Sequence, residues 1–198
     1  MQYNIASKDV IHEQIIEKSR FIACLHRCGD PEEAKKYLSG LRKEHPKATH
    51  VVHAWYFGDR TAPQCGSSDD GEPKGTAGRP VLEAIISKNA RNLVIAVVRY
   101  FGGKKLGASG LVRAYHGTAV QALNLAGLVP DIKLRSFSVT LDYDKFENVK
   151  RFCLEQGWEI AEEKFDESVT LLLKLKDGEV PEFPYNTVLD VIDCGIPE

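Results

Sequence analysis

The spacing of hydrophobic and polar positions changes period several times along the chain. In RFIACLHRC, Phe21, Ala23 and Leu25 alternate with Ile22, Cys24 and His26, the two-residue period of a strand, inside strand-like material from Ile11 to Cys28. A helix follows: Asp30 is placed to cap it, Pro31 suits its first position, Glu33 completes a capping box, and Ala34, Tyr37, Leu38 and Leu41 form its apolar stripe. Pro46 stops it, and THVVHAWYFG, rich in β-branched and aromatic residues, predicts the next strand.

The period is lost from Cys65 to Pro80, CGSSDDGEPKGTAGRP. Gly66, Gly71, Gly75 and Gly78 permit unusual backbone angles and the Ser, Asp and Thr side chains can satisfy turn amides, so this stretch predicts a long constrained loop. Pro80 can then begin a helix with Leu82, Ile85 and Ile86 inward, ending near Asn89. Leu93 to Val98 is unbroken apolar sequence, a strand covered on both faces and therefore central in its sheet. A second glycine-rich segment, FGGKKLGASG, feeds the longest helix, with Leu111, Tyr115, Thr118, Ala119, Ala122 and Ala126 at helical spacing and Gly127 as terminator.

Beyond a linker at 130–135 the order is regular. Phe137, Val139, Leu141 and Tyr143 alternate on a strand; a helix capped by Asp144 with Glu147 at the capping-box position carries Phe146, Val149, Phe152 and Cys153 inward; Gly157 closes it. Trp158–Phe165 and Val169–Lys176 form two strands across a DES turn, a short Pro-flanked helix follows, and VLDVID ends the chain as a strand. This βαββαβ order is the ferredoxin-like pattern. The fold class is therefore α+β in two domains, residues 1–130 and 136–198.

Composition adds a partner class. At 43% hydrophobic and 27% charged residues the chain is of ordinary globular type, and no apolar run approaches the roughly 18 residues of a membrane span, so a cytoplasmic protein with no membrane partner is expected. Five scattered cysteines without a CxxC pair fit free thiols; Cys24, His26 and Cys28 lack a nearby fourth ligand, so no metal is expected. The net charge of −2 conceals a division: residues 1–135 hold 20 Lys/Arg and 13 Asp/Glu, residues 136–198 hold 6 and 15. A basic first part suggests an anionic partner, nucleic acid being the usual one; mutual attraction of the two parts is the alternative.

The candidate chemistry sits in the two glycine-rich segments. GGKKLGASG lies between a buried strand and a helix start, where amides and the helix dipole favour phosphate, with Lys104 and Lys105 adding charge. It is neither a Walker A loop nor GxGxxG, although Gly107 and Gly110 give part of that spacing. Asp69, Asp70 and Glu72 could hold magnesium, transfer protons, or bond the loop's own amides and an arginine; the last is the commoner role of such residues. His50 and His53 fall on opposite strand faces, and His50 serves as a base only if it faces the loop. Lys74, Arg79, Arg99, Tyr100, Lys104, Lys105 and Arg113 form a basic-aromatic cluster, with Tyr100, Phe101 or Tyr115 available for stacking, as single-stranded or looped RNA requires. For Arg99 the competing role is burial against Asp69 or Asp70, holding the two loops together.

Three stretches carry a family resemblance: ATHVVHAW around His50, SDDGEPKGTAGRP at Ser68–Pro80 and VVRYFGGKKLGASGLVRAY at Val97–Tyr115. In these the chain resembles the YigZ/IMPACT family, specifically its bacterial two-domain members, departing from the pattern at Ser109, which replaces a second glycine. The resemblance implies an amino-terminal α/β sandwich like the second domain of ribosomal protein S-five, and a tail similar to the last domain of elongation factor G. The eukaryotic IMPACT protein regulates translation by competing for the activator of a stress kinase, so a ribosome or RNA link is the functional expectation.

The expected function is accordingly translation-associated regulation, with RNA or the ribosome bound through Lys74, Arg79, Arg99, Tyr100, Lys104, Lys105, Gly107, Gly110 and Arg113. Two alternatives stand beside it. One is an enzyme acting on a phosphate-bearing small molecule, with His50, Asp69 or Asp70 moving protons; the other is an adaptor that binds a protein through an exposed apolar patch. No residue pattern calls for a cofactor.

Overall fold

The computed structural model describes residues 3–58, 62–184 and 187–195. The chain divides into two compact units, residues 1–131 and 132–198.

The first unit is built on a five-stranded antiparallel sheet in the order β2-β3-β6-β4-β5: Val10–Ile16, Ser19–Arg27, Leu93–Tyr100, His50–Phe57 and Gln64–Ser68. β6 is the central strand, and its apolar run is continuous because both faces are covered. On one face Phe21, Ala23, Leu25, Val52, Ile95 and Val97 pack against helices α2 (Gly78–Ser87) and α3 (Gly107–Ala126). On the other, Ile22, Cys24, Val51 and Val98 meet α1 (Pro31–Glu44). Alternation along β3 thus feeds two cores rather than one core and solvent. A small ribbon of β1 (Asn4–Ala6) and β7 (Leu128–Pro130) completes the unit.

The Asp30 cap of α1 forms, its carboxylate accepting from the Glu32 and Glu33 amides, whereas the Glu33 side chain reaches past the cap and accepts from the Gly29 amide instead of the Asp30 amide of a capping box. Three further expectations are corrected in this unit. The strand-like stretch from Ile11 is a hairpin, β2 and β3, reversing at Glu17–Lys18 with φ of 48° and 66°. The long loop is shorter, because Gln64–Ser68 pairs as an edge strand with β4. α2 begins at Gly78 rather than Pro80, since Asp69 Oδ1 accepts from the Ala77 and Gly78 amides and caps the helix from across the loop.

The second unit is an antiparallel sheet in the order β11-β8-β10-β9: Asp190–Gly195, Leu134–Leu141, Val169–Lys176 and Glu159–Phe165. This fourth-first-third-second order is the ferredoxin-like one, and α4 (Phe146–Glu155) covers the face carrying Phe137, Val139, Leu171 and Leu173. Asp144 does not cap α4; it lies in a 3-10 turn, Tyr143–Lys145, with its carboxylate 3.0 Å from Lys145 Nζ. The second helix does not form among the described residues between β10 and β11. Pro181 and Pro184 remove amide donors and push the preceding residues toward extended geometry, and Phe183 instead packs on Phe152 and Trp158 at 5.8 and 5.6 Å between ring centres. No helix among the described residues is long and apolar enough to cross a membrane.

Candidate functional site

β6 ends at Arg99 and Tyr100, where two loops converge: 69–77, between β5 and α2, and 101–106, before α3. Alternation sends the two residues to opposite faces. Arg99 turns toward α3, its guanidinium carbon 5.3 Å from the centre of the Phe21 ring and 5.5 Å from that of Phe101. Tyr100 turns toward α1, where its hydroxyl lies 2.8 Å from His45 Nδ1. The structure therefore separates Tyr100 from the cluster to which the sequence joined it.

Arg99 is 4% exposed and clamps the loops, but through Glu72 rather than Asp69 or Asp70: its Nη1 donates to Glu72 Oε1 at 2.6 Å. Tyr115, from α3, donates its hydroxyl to the same oxygen at 2.7 Å. Burial, and next the contact with Glu72, push the Tyr115 phenol far up, so it stays a donor. Arg99 Nη2 donates to Ser19 Oγ at 3.3 Å, and that oxygen also accepts from the Gly102 amide. His50 faces the loop, its Nδ1 donating to the Asp70 carbonyl at 2.8 Å and its Nε2 standing 3.8 Å from Glu72 Oε1. One buried carboxylate thus draws together β4, β6, α3 and the first loop. Ser19 and the leading role of Glu72 were missed from sequence.

The aspartates are held by the protein itself. Asp69 accepts from the amides of Gly75, Ala77 and Gly78 at 2.7, 3.1 and 2.8 Å. Asp70 accepts from the Val51 amide at 2.6 Å and pairs with Arg42 of α1. Partial burial raises both carboxyls, but the three amides on Asp69, and Arg42 with the Val51 amide on Asp70, outweigh it and leave both below the usual carboxylate range. A depressed carboxyl contributes stability above its unfolded value of about 3.9 and loses it as pH falls through the folded value. The Asp69→Asn variant is expected to flatten the acid limb of a stability-against-pH curve below about pH 4 in urea titrations; an unchanged limb would refute the assignment.

The remaining cations sit at the rim. Lys74, Arg79, Lys104, Lys105 and Arg113 are exposed. Arg79 pairs with Glu83 and Lys104 with Glu17, whereas no carboxylate lies within 4 Å of Lys74, Lys105 or Arg113 among the described residues. Lys104, Lys105, Gly110 and Arg113 line one cleft of about 430 Å³; Lys105 and Gly107 also line a second, of about 360 Å³, with Glu72, Arg99 and Phe101. Of the aromatics offered for stacking, Phe101 is half-exposed and Tyr115 is fully buried. Burial lowers the His53 imidazole below its usual range, and Cys24 and Cys28 are buried thiols raised by burial to about 11 and 12. No group of three potential metal ligands occurs among the described residues.

Residues 17–123 match the model of the Impact N-terminal domain, and residues 139–184 match a domain of unknown function, DUF1949. A Haemophilus influenzae IMPACT family member is 35% identical over 183 residues, 92% of this chain and 89% of the relative. This chain belongs to the IMPACT family. The Escherichia coli IMPACT family member YigZ is 35% identical over 169 residues, covering 85% of this chain and 83% of its own. A solved structure described only as a hypothetical protein aligns at a TM-score of 0.63 and 33% identity, covering 88% of this chain and 86% of that one. The Glu72–Arg99 clamp lies within the span that matches the IMPACT domain model.

Proposed function

We propose that this IMPACT family chain is a translation-associated regulator that binds RNA or the ribosome through the cationic rim of its first unit. The observation that carries the reading is the rim itself: Lys105 and Arg113, exposed and without a carboxylate within 4 Å among the described residues, line one cleft with Lys104 beside the start of α3. Lys74 and Arg79 extend the charge along the neighbouring loop and helix, and Phe101 offers an exposed ring for a base. The excess of Lys/Arg before residue 135 and of Asp/Glu after it supports an anionic partner for the first unit. The link to translation rests on the family resemblance. Arg99 has no share in this surface; it is buried and supports the rim from below.

Fluorescence anisotropy with labelled single-stranded and hairpin RNA, read across salt concentrations, tests the proposal. Affinity is expected to fall steeply with salt, and the Lys105→Glu/Arg113→Glu variant to bind about tenfold more weakly or worse, with a salt slope shallower by roughly 1–2. Undetectable or salt-insensitive RNA affinity, together with no co-sedimentation with ribosomes at low salt, would overturn it.

A further inference from the structure

β2 ends the five-stranded sheet of the first unit, and among the described residues no strand pairs with its outer side. Edge strands ordinarily carry guards against pairing with another chain. β5 is short and interrupted by Gly66, β9 carries Glu159, Glu162, Glu163 and Lys164, and β11 breaks register between Asp193 and Gly195. β2 has seven residues, VIHEQII, without Pro, Gly or Lys, and its register with β3 is unbroken. Ile11 and Ile15 on this strand are 75% and 73% exposed. Both lie on the α1 face of the sheet, where α1 packs on Ile22 and Cys24 of the next strand and leaves the two isoleucines uncovered.

The strand is also complementary to itself. The two-residue reversal at Glu17–Lys18, with positive φ at both, makes Ile16 and Ser19 a hydrogen-bonded pair. Alternation then turns the backbone groups of Val10, His12 and Gln14 to β3 and those of Ile11, Glu13 and Ile15 outward. The outward set is symmetric about Glu13. Laid antiparallel on a two-fold axis at Glu13, β2 sets Ile11 opposite Ile15 of a second copy, His12 opposite Gln14, and Val10 opposite Ile16, apolar on apolar and polar on polar. In that register every outward amide and carbonyl of the three residues finds a partner. Glu13 meets its own copy, but each carboxylate is already held by Arg20, whose Nε and Nη2 donate to Oε1 and Oε2 at 2.7 Å each. Two carboxylates with two guanidiniums leave the centre of the contact neutral. Asp9 and Glu17, which come opposite one another at its ends, are likewise paired, with Arg27 and Lys104.

We propose that a second copy of this chain pairs with the first along β2, antiparallel and centred on Glu13, so that the two sheets become one continuous sheet. A contact made by one strand from each copy is at the small end of specific interfaces, so a dissociation constant in the micromolar range is expected. The pairing does not depend on the rim binding RNA.

Sedimentation velocity of the full chain is expected to show a dimer that grows with concentration across the micromolar range. Ile11→Lys/Ile15→Lys should raise the dissociation constant at least about tenfold and melt with the parent, since neither side chain belongs to a core. Oxidative cross-linking reads the register, in a Cys65→Ser/Cys194→Ser background that removes the exposed native thiols. Glu13→Cys sets two cysteines across the two-fold axis with Cα atoms about 5.5 Å apart, within reach of a disulfide. Ile11→Cys, at a more exposed position, faces Ile15 of the other copy and stands about 14 Å, four residues, from its own counterpart. The first variant is expected to cross-link at least about tenfold faster than the second. Monomer at every concentration would leave the edge to a strand of another protein and overturn the proposal. A dimer untouched by the two lysines, or equal cross-linking by the two cysteines, would overturn it too, by placing self-association on another surface.

Discussion

Glu72→Ala is expected to destabilise the first unit by about 3–5 kcal/mol, the usual cost of leaving one partner of a buried ion pair uncompensated. The magnitude follows from position: the Glu72 and Arg99 side chains are 4% and 5% exposed, and losing the carboxylate also strands the Tyr115 hydroxyl. Urea unfolding followed by tyrosine and tryptophan fluorescence reads the change as a lower midpoint. Glu72→Gln, which retains an acceptor oxygen but no charge, should fall between parent and alanine variant. Replacing both partners, as Glu72→Leu with Arg99→Met, should recover part of the loss, because an apolar pair leaves no orphaned charge. A loss below about 1 kcal/mol for Glu72→Ala would show that the clamp is not structural.

The second large effect belongs to Gly102. A Cβ built there would lie 1.8 Å from the Lys18 carbonyl oxygen and 2.6 Å from the Ser19 nitrogen. Both are backbone atoms of the β2–β3 reversal and cannot swing aside, so Gly102→Ala is expected to cost at least about 3 kcal/mol and to lower soluble yield. Gly103→Ala is the control. Its Cβ meets nothing within 4 Å, and it should lose only the about 1–2 kcal/mol of an alanine held at positive φ, here 85°. Equal melting temperatures for the two variants would contradict the close approach.

These two sites mark where the sequence could and could not be read. Alternation through Phe21–Leu25, the Asp30 cap followed by Pro31, and the unbroken run of β6 are local signals, and local signals gave the right elements. The Glu17–Lys18 reversal was illegible because neither residue favours positive φ. It is held by distant partners: Glu17 by Lys104, and the Lys18–Ser19 backbone against Gly102. The identity of the Arg99 partner was likewise not local. Three carboxylates in four positions compete, and the turn at Asp70 and Gly71, with φ of 45° and 84°, decides which faces inward. That turn leaves Asp69 on the loop amides, sends Asp70 to α1, and points Glu72 at the buried arginine. In the second unit the strands were legible from alternation, whereas the helix absent among the described residues between β10 and β11 was a matter of Pro181 and Pro184 overruling an otherwise acceptable span.

The clamp also bears on motion. A segment without regular structure, such as 69–77, ordinarily opens by itself and exchanges its amide hydrogens with solvent quickly. Here its first four residues are tied to both layers, through Asp70 to Arg42 on one side of the sheet and through Glu72 to Arg99 and Tyr115 on the other. The Gly75, Ala77 and Gly78 amides, bound to Asp69, therefore have little local freedom to open. Their deuterium uptake should keep pace with the amides of β6, as one cooperative unit that melts only when the sheet does.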